Sequence, residues 1–266
     1  MTTTGTKKAA SYGVIYEPRG AAREYAPLAA NPYRGCIHGC TYCYGPGVLR
    51  VSAEEFARPT ARAGFIASLE RDIRRLRPGD GPVLLAFTCD PYQELEATER
   101  LTRQSVMRLV DAGIHVRILT KAPMFAVVND LDLLRNPLVE FGTTMAFTDD
   151  DLARQWEPGA ESLSSRRAAI AQAHNEGVRT WVSVEPVIDP GQALALIRLM
   201  APWVGVWKVG RWNHDKRADA LDWNDFLAKA LKVLNERNAR YYIKNELWRS
   251  AGAVGETHLG YPKFNI

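Results

Sequence analysis

A chain of 266 residues with 46% hydrophobic and 24% charged side chains can bury a core of its own, which excludes a small scaffold that depends on disulfide staples. The formal charge of +4 and a pI near 8.9 permit a polyanionic partner without demanding one. No apolar run approaches the eighteen or so residues that cross a bilayer, which argues against a membrane protein.

Residues 1–15 read as a flexible N-terminal tail: Met1 to Tyr12 are polar and carry none of the apolar core of a signal peptide, so the expected location is the cytoplasm. Tyr16 to Pro27 reads as an irregular lead-in, and Leu28 to Arg34 as a short first strand. Further strands are predicted at 83–88, 115–120, 139–145, 180–184, 204–209 and 240–244, where β-branched and aromatic residues cluster. Between them lie helical patterns over 61–76, 96–112, 124–134, 150–156, 164–176, 192–200 and 223–238, several stopped by Gly113, Gly177 or Pro202. Regular alternation of strand and helix implies a parallel sheet with right-handed crossovers. Six to seven units are too few for a closed eight-fold barrel, so the expected fold is α/β, a partial (β/α)6-type barrel. It forms a single domain over 16–266, most variable from about residue 211.

Three of the four cysteines fall within eight residues, in Asn31-Pro-Tyr-Arg-Gly-Cys36-Ile-His-Gly-Cys40-Thr-Tyr-Cys43-Tyr44. A Cys-x3-Cys-x2-Cys loop can present three thiolates to one 4Fe-4S cluster and leave the fourth iron open for a ligand. The alternative is a zinc site that adds His38 or a distant histidine, although zinc sites usually pair Cys-x2-Cys hooks. Cys89 stands alone, so no cysteine set remains for a second cluster.

This loop resembles that of the radical S-adenosylmethionine (SAM) enzymes, down to the aromatic Tyr42 before the third cysteine. The resemblance implies Cys36, Cys40 and Cys43 as cluster ligands, SAM on the open iron, and reductive cleavage of SAM to a 5'-deoxyadenosyl radical, with electrons from a donor such as flavodoxin or ferredoxin. Gly20-x2-Arg-Glu-Tyr-Ala, Thr88-Cys-Asp-Pro-Tyr-Gln93, Leu119-Thr-Lys121 and the segment from Glu157-Pro158 to Arg166 narrow the likeness to the spore-photolyase-like branch. By that resemblance Tyr42 and Tyr44 flank the adenosyl group and the radical path, Lys121 pairs with the SAM carboxylate, and Thr144 stands where the family has a small hydroxyl residue near SAM. Cys89 falls at a SAM-contacting position with Asp90 beside it. The hydrogen-donating cysteine of spore photolyase falls two residues earlier, at Phe87, so dimer repair by that route lacks its thiol.

The ends of the strands are where chemistry gathers in such barrels. Period-two alternation puts Cys89 on the side of Leu85 and Phe87, expected to be the barrel interior, where its thiol could return hydrogen to a substrate radical. The expected function is hydrogen abstraction from a nucleobase or nucleoside, in DNA or free, for repair or for isomerisation or tailoring of a modified thymine. The aromatic and basic stretch Trp207 to Arg217 could stack bases and hold phosphates. The competing readings are a radical SAM enzyme for a small metabolite or peptide, and a zinc-bearing nucleic-acid-binding module. A monomer is favoured.

Overall fold

Seven parallel strands lie side by side in chain order: β1 (Leu28–Ala30), β2 (Val83–Leu85), β3 (Val116–Thr120), β4 (Val139–Thr144), β5 (Arg179–Val187), β6 (Val206–Arg211) and β7 (Tyr241–Ile243). The computed structural model describes residues 13–254. Each step to the next strand is bridged by a principal helix: α1 (Phe65–Ile73), α2 (Leu101–Asp111), α3 (Pro123–Leu134), α4 (Leu163–Asn175), α5 (Pro190–Met200) and α6 (Trp223–Glu236). Six βα units and a seventh strand make the partial barrel that the alternation implies, in one mixed α/β domain.

Local chemistry sets the helix ends. Ser162, Asp189 and Asp222 cap α4, α5 and α6 by accepting from the amides of Ser165, Gln192 and Asp225. Gly113 and Gly177 follow α2 and α4 with φ of +72° and +77°, a left-handed conformation that lets the chain leave the helix. One face of the sheet, with Leu85, Ile118, Phe141 and Val182, packs on the helices and forms the main core. The opposite face carries Ala29, Leu84, Trp181 and Val206 and lines the barrel interior, into which Tyr25 and Ala26 insert from the N-terminal segment. No helix among the described residues is long and apolar enough to cross a membrane.

Several expectations are corrected. The first strand ends at Ala30; Tyr33–Arg34 instead pairs antiparallel with Thr60–Ala61. The helical pattern over 61–76 forms helix only from Phe65, after Gly64 in the left-handed region, and that over 96–112 is split by Arg100 at φ +53°. The lead-in holds a short 3-10 helix, Gly20–Glu24, that delivers Tyr25 to the interior. Residues 1–12 of the expected tail lie outside the described residues, and its last three residues are firmly held. The Asp72 carboxylate, on α1 and only 1% exposed, accepts from the amides of Gly13, Val14 and Ile15 at 2.7–3.0 Å.

The orientation expected for Cys89 is also overturned. The β2 ladder stops at Leu85, and beyond it the amides of Phe87 and Thr88 bond to the Asn31 side chain at 2.8 and 2.9 Å instead of to a strand. Alternation ends there. Leu85 faces the helices, Phe87 faces the interior, and Cys89 is buried in a separate cluster with Tyr33 and Ala86.

Burial alone would raise the Asp72 pKa, but the three amides overcome it and hold the carboxyl below its ordinary value. A depressed folded pKa contributes stability above the unfolded value of about 3.9, lost as pH falls through the folded one. Residues 13–15 should therefore lose amide protection on acidification in that window, read by hydrogen exchange. Asp72→Ala should cost about 1–3 kcal/mol in urea unfolding, the penalty for orphaned amides.

Candidate active site

The cysteine loop follows β1 and is tied down from several sides. Backbone bonds run from Cys36 N to Phe56 O (2.8 Å), from Thr41 N to Trp156 O (2.9 Å) and from Gly159 N to His38 O (2.8 Å). Gln93 clamps the loop from the β2 side, donating to Gly35 O at 3.2 Å and accepting from Ile37 N at 3.3 Å. A Cβ at Gly159 would lie 2.7 Å from the carbonyl of Ile37, so only glycine permits this approach.

His38 is buried, with Nδ1 2.8 Å from Gly159 O and Nε2 3.0 Å from Asp90 Oδ2. Asp90 also accepts from Tyr92 N, from Thr120 Oγ1 at 2.6 Å and from Lys121 N at 2.7 Å. Burial would raise its pKa, but His38 and these donors hold it down at about 2. Burial likewise works against His38 as a cation, yet Asp90 outweighs it and the histidine pKa is raised. Asp90 thus joins the cysteine loop to the ends of β2 and β3, with both carboxylate oxygens engaged.

Cys36 and Cys40 are half-buried and Cys43 is exposed, all three as free thiols. Burial, with neighbouring Asp90 for Cys36, pushes the two inner thiols up to about 12 and about 11. Gly45 donates its amide to the Cys43 sulfur at 3.3 Å. Among the described residues no three His, Cys, Asp or Glu side chains gather around one ion-sized point. With both nitrogens of His38 engaged, the zinc alternative also lacks its nearby fourth ligand. Three thiols on one loop, one of them already accepting an N–H, suit the outer face of a larger iron-sulfur cluster.

Behind the loop lies a buried charge pair. Arg166 Nη1 is 2.6 Å from Glu157 Oε2, with side chains 1% and 0% exposed, and the Tyr42 hydroxyl donates to the other Glu157 oxygen. Arg166 also donates to the carbonyls of Thr144 (3.1 Å) and Glu161 (2.8 Å), which connects Tyr42 to the end of β4. Lys121 Nζ stands 5.5 Å from the centre of the Tyr42 ring. Burial opposes its charge, but Cys40 and Glu157 more than compensate and its pKa is raised. Lys121 and Tyr42 therefore stand together near Cys40, and Arg166 joins Tyr42's partner Glu157 to the Thr144 carbonyl. Tyr44 is 45% exposed, its hydroxyl donating to Phe87 O at 3.2 Å.

The sequence reading assigned no role to Glu157 and Arg166, although both stand in the segment that carried the resemblance. Nor did it single out Tyr25 or Glu185 as a pair. Glu185, at the end of β5, accepts from Tyr25 Oη at 2.5 Å, from Lys244 Nζ at 2.8 and 2.6 Å and from Asn213 Nδ2 at 3.3 Å. The stretch 207–217 offers no stacking platform of the kind expected: Trp207 is fully buried in the core, and Trp212 is 4% exposed beneath the Arg217 guanidinium. Trp212 instead meets Trp156 edge-on at 5.4 Å, and Trp156 lies 6.5 Å from Tyr42.

A parallel partial barrel with a three-thiol loop beyond its first strand defines an enzyme framework for an iron-sulfur cluster. The chain belongs to the radical SAM superfamily, which its residues 30–200 match. That family uses a 4Fe-4S cluster and SAM, and the chain is an enzyme. It is 28% identical over 202 residues to an uncharacterized protein of Mycobacterium bovis, across 66% of this chain and 55% of that one, so it spans about half the length of that relative. It is 25% identical over 179 residues to the radical SAM Nalpha-GlyT isomerase of Pseudomonas phage M6, across 62% of this chain and 34% of the isomerase. Among solved structures, spore photoproduct lyase complexed with dinucleoside spore photoproduct superposes with a TM-score of 0.67 at 14% identity, covering 85% of this chain and 78% of the lyase. Streptococcus suis SuiB bound to S-adenosylmethionine gives 0.62 at 12% identity, over 86% and 53%.

Replacing Cys36, Cys40 or Cys43 by Ala should each prevent assembly of a four-iron cluster, read by iron and sulfide content after anaerobic reconstitution; a full cluster in Cys36→Ala would remove it from the ligand set. Arg166→Ala leaves Glu157 charged and buried, and should destabilise the protein by about 3–5 kcal/mol in denaturant unfolding.

Proposed function

We propose that this radical SAM enzyme abstracts hydrogen from a nucleobase or nucleoside, in DNA or free, and that it isomerises or tailors a modified thymine rather than splitting a dimer. Cys36, Cys40 and Cys43 would hold the cluster. When bound, the cluster and SAM supply a one-electron cleavage that generates a carbon radical, and the protein positions and shields the reactants. Lys121 is assigned to the SAM carboxylate and Thr144 to the SAM wall. Tyr42 is held rigid by Glu157 against the adenosyl side, and Tyr44 faces the radical path. Asp90 acts through His38 and the amide of Lys121, as an organiser of the site.

The observation that carries the choice of reaction is the occupant of the donor position. Phe87 stands where the resemblance implies a hydrogen-donating thiol, and its ring meets Tyr25 edge-on at 5.9 Å in the interior. Cys89 is packed with Tyr33 and Ala86, in a cluster separate from that of Phe87. Dimer reversal as the resemblance implies it returns its hydrogen from a thiol at that point, which this chain lacks, whereas an isomerisation can retrieve its hydrogen from a group other than a thiol. Likeness to a lyase solved with a dinucleoside supports nucleoside-containing substrates, and likeness to a phage isomerase supports an isomerisation. Reduced thiols and an oxygen-sensitive cluster favour a cytoplasmic setting with a flavodoxin- or ferredoxin-type electron donor. Likeness to SuiB, also solved with its precursor peptide, supports peptides as the second reading.

The test is anaerobic turnover with reductant and SAM against three substrates: DNA carrying spore photoproduct, DNA carrying hypermodified thymine, and a pool of peptides. Nucleosides and peptides are then analysed by mass spectrometry. An altered mass distribution or isomeric product from modified thymine supports the proposal; plain thymine from spore photoproduct, or change only in a peptide, overturns it. Lys121→Ala should leave the cluster intact and weaken SAM binding about ten- to a hundredfold, the worth of a charge-assisted bond of roughly 1.5–3 kcal/mol. An unchanged dissociation constant would remove Lys121 from the SAM site.

A further inference from the structure

The motif Gly20-x2-Arg23-Glu24-Tyr25-Ala26 has no assigned role in this chemistry, yet the structure sends its tyrosine into the barrel. Tyr25 is 7% exposed. Its carbonyl accepts from Arg117 and, at 3.2 Å, from Lys208, near the entry to β3 and partway along β6. Its hydroxyl reaches Ser183 Oγ at 2.7 Å and Glu185 Oε2 at 2.5 Å, toward the end of β5. The side chain therefore runs up the interior, toward the strand ends where the cysteine loop lies. Ser183 pairs in register with Thr144, the residue assigned to the SAM wall. Tyr44, from the loop itself, bonds to the carbonyl of Phe87, whose ring abuts Tyr25.

The surroundings of the phenol are those of a redox-active tyrosine. Glu185 is a carboxylate acceptor held in place by Lys244, whose ammonium is 4% exposed and lies 4.6 Å from the Tyr25 ring centre. Gly210 makes room for it: a Cβ there would lie 2.6 Å from the Glu185 carboxyl carbon. Burial, then the Glu185 charge, push the phenol well above its ordinary pKa, so it stays protonated and keeps a hydrogen to give.

We propose that Tyr25 is the hydrogen-atom donor of this enzyme, filling from the N-terminal segment the task left open by Phe87. The O–H bond of Tyr25 breaks as a C–H bond forms on a carbon radical in the interior, leaving a neutral phenoxyl. The phenoxyl regains one electron from the same class of one-electron reductant that SAM cleavage requires, and one proton from solvent by way of the Glu185–Lys244 pair. The inference rests on the radical SAM chemistry above, but not on the identity of the substrate.

It can therefore be tested without substrate. Full-length reconstituted enzyme is reduced anaerobically with dithionite and SAM in deuterated water, and the 5'-deoxyadenosine formed is analysed by mass spectrometry. Tyr25 carries an exchangeable hydrogen, so the wild-type product should contain one solvent deuterium. Tyr25→Phe should still form 5'-deoxyadenosine but lose the label, whereas Cys89→Ala, which removes the buried thiol, should keep it. Label that persists in Tyr25→Phe, label lost in Cys89→Ala, or an unlabelled wild-type product overturns the assignment. If no 5'-deoxyadenosine forms at all, the radical SAM reading fails and takes this inference with it. A second readout needs neither cluster nor turnover. In cluster-free protein with 13Cζ-labelled tyrosine, Glu185→Gln should shift the one resonance that Tyr25→Phe removes, by weakening a charge-assisted hydrogen bond. An unmoved resonance overturns the coupling of the donor to its carboxylate.

Discussion

The site depends on one buried contact, that between His38 and Asp90. A loop carrying three cysteines has little regular structure of its own, and its backbone must be held by something outside it. His38 supplies the grip from within the loop, and Asp90 answers from the end of β2 while taking a hydroxyl and an amide from Thr120 and Lys121. One carboxylate thereby fixes the thiols, the lysine beside them and two strand ends in a single frame. The charge is affordable in so dry a place because both oxygens accept hydrogen bonds, from Tyr92, Thr120 and Lys121, with His38 at ion-pair distance. A second buried pair, Glu157 with Arg166, repeats the arrangement on the other side of Tyr42.

The two pairs do different work. His38 and Asp90 act on the backbone of the loop and on the frame of the sheet. Glu157 and Arg166 act on a side chain, fixing the Tyr42 hydroxyl, and through Arg166 they reach the carbonyl of Thr144 on β4. Both draw on the long excursion after β4, which supplies Glu157, Gly159 and Arg166. That excursion is the far wall of the site, and it explains why a segment with weak helical patterning carries part of the family likeness.

Much of this was legible in the sequence. Strand and helix alternation gave the order and sense of the sheet, and the cysteine spacing pointed to a cluster rather than to one metal ion. What failed did so where side chains replaced the backbone partners on which periodicity relies. Asn31 takes over the amides of Phe87 and Thr88, so alternation could not be carried past Leu85 to group Cys89 with Leu85 and Phe87. Trp207 read as a candidate base-stacking residue because it adjoins a basic run, but it stands on a central strand and faces the helices. Tyr25 was quoted within a motif yet given no role, because nothing local marks a residue of an irregular lead-in as the plug of a barrel.

Glu24, next to that plug, has a consequence for how the protein comes off the ribosome. Its carboxylate accepts from the Tyr242 hydroxyl at 2.7 Å and from the amide of Asn245 at 2.8 Å, partners 218 and 221 residues further along the chain. Synthesis runs from the N-terminus, and early segments fold while later ones are still being made. The cradle of the cysteine loop draws on residues up to 166, so its parts are all present while the clasp on Glu24 is still unmade. The Glu24 contacts therefore join the beginning of the described chain to its end, and they form only after the strand Tyr241–Ile243 has been made.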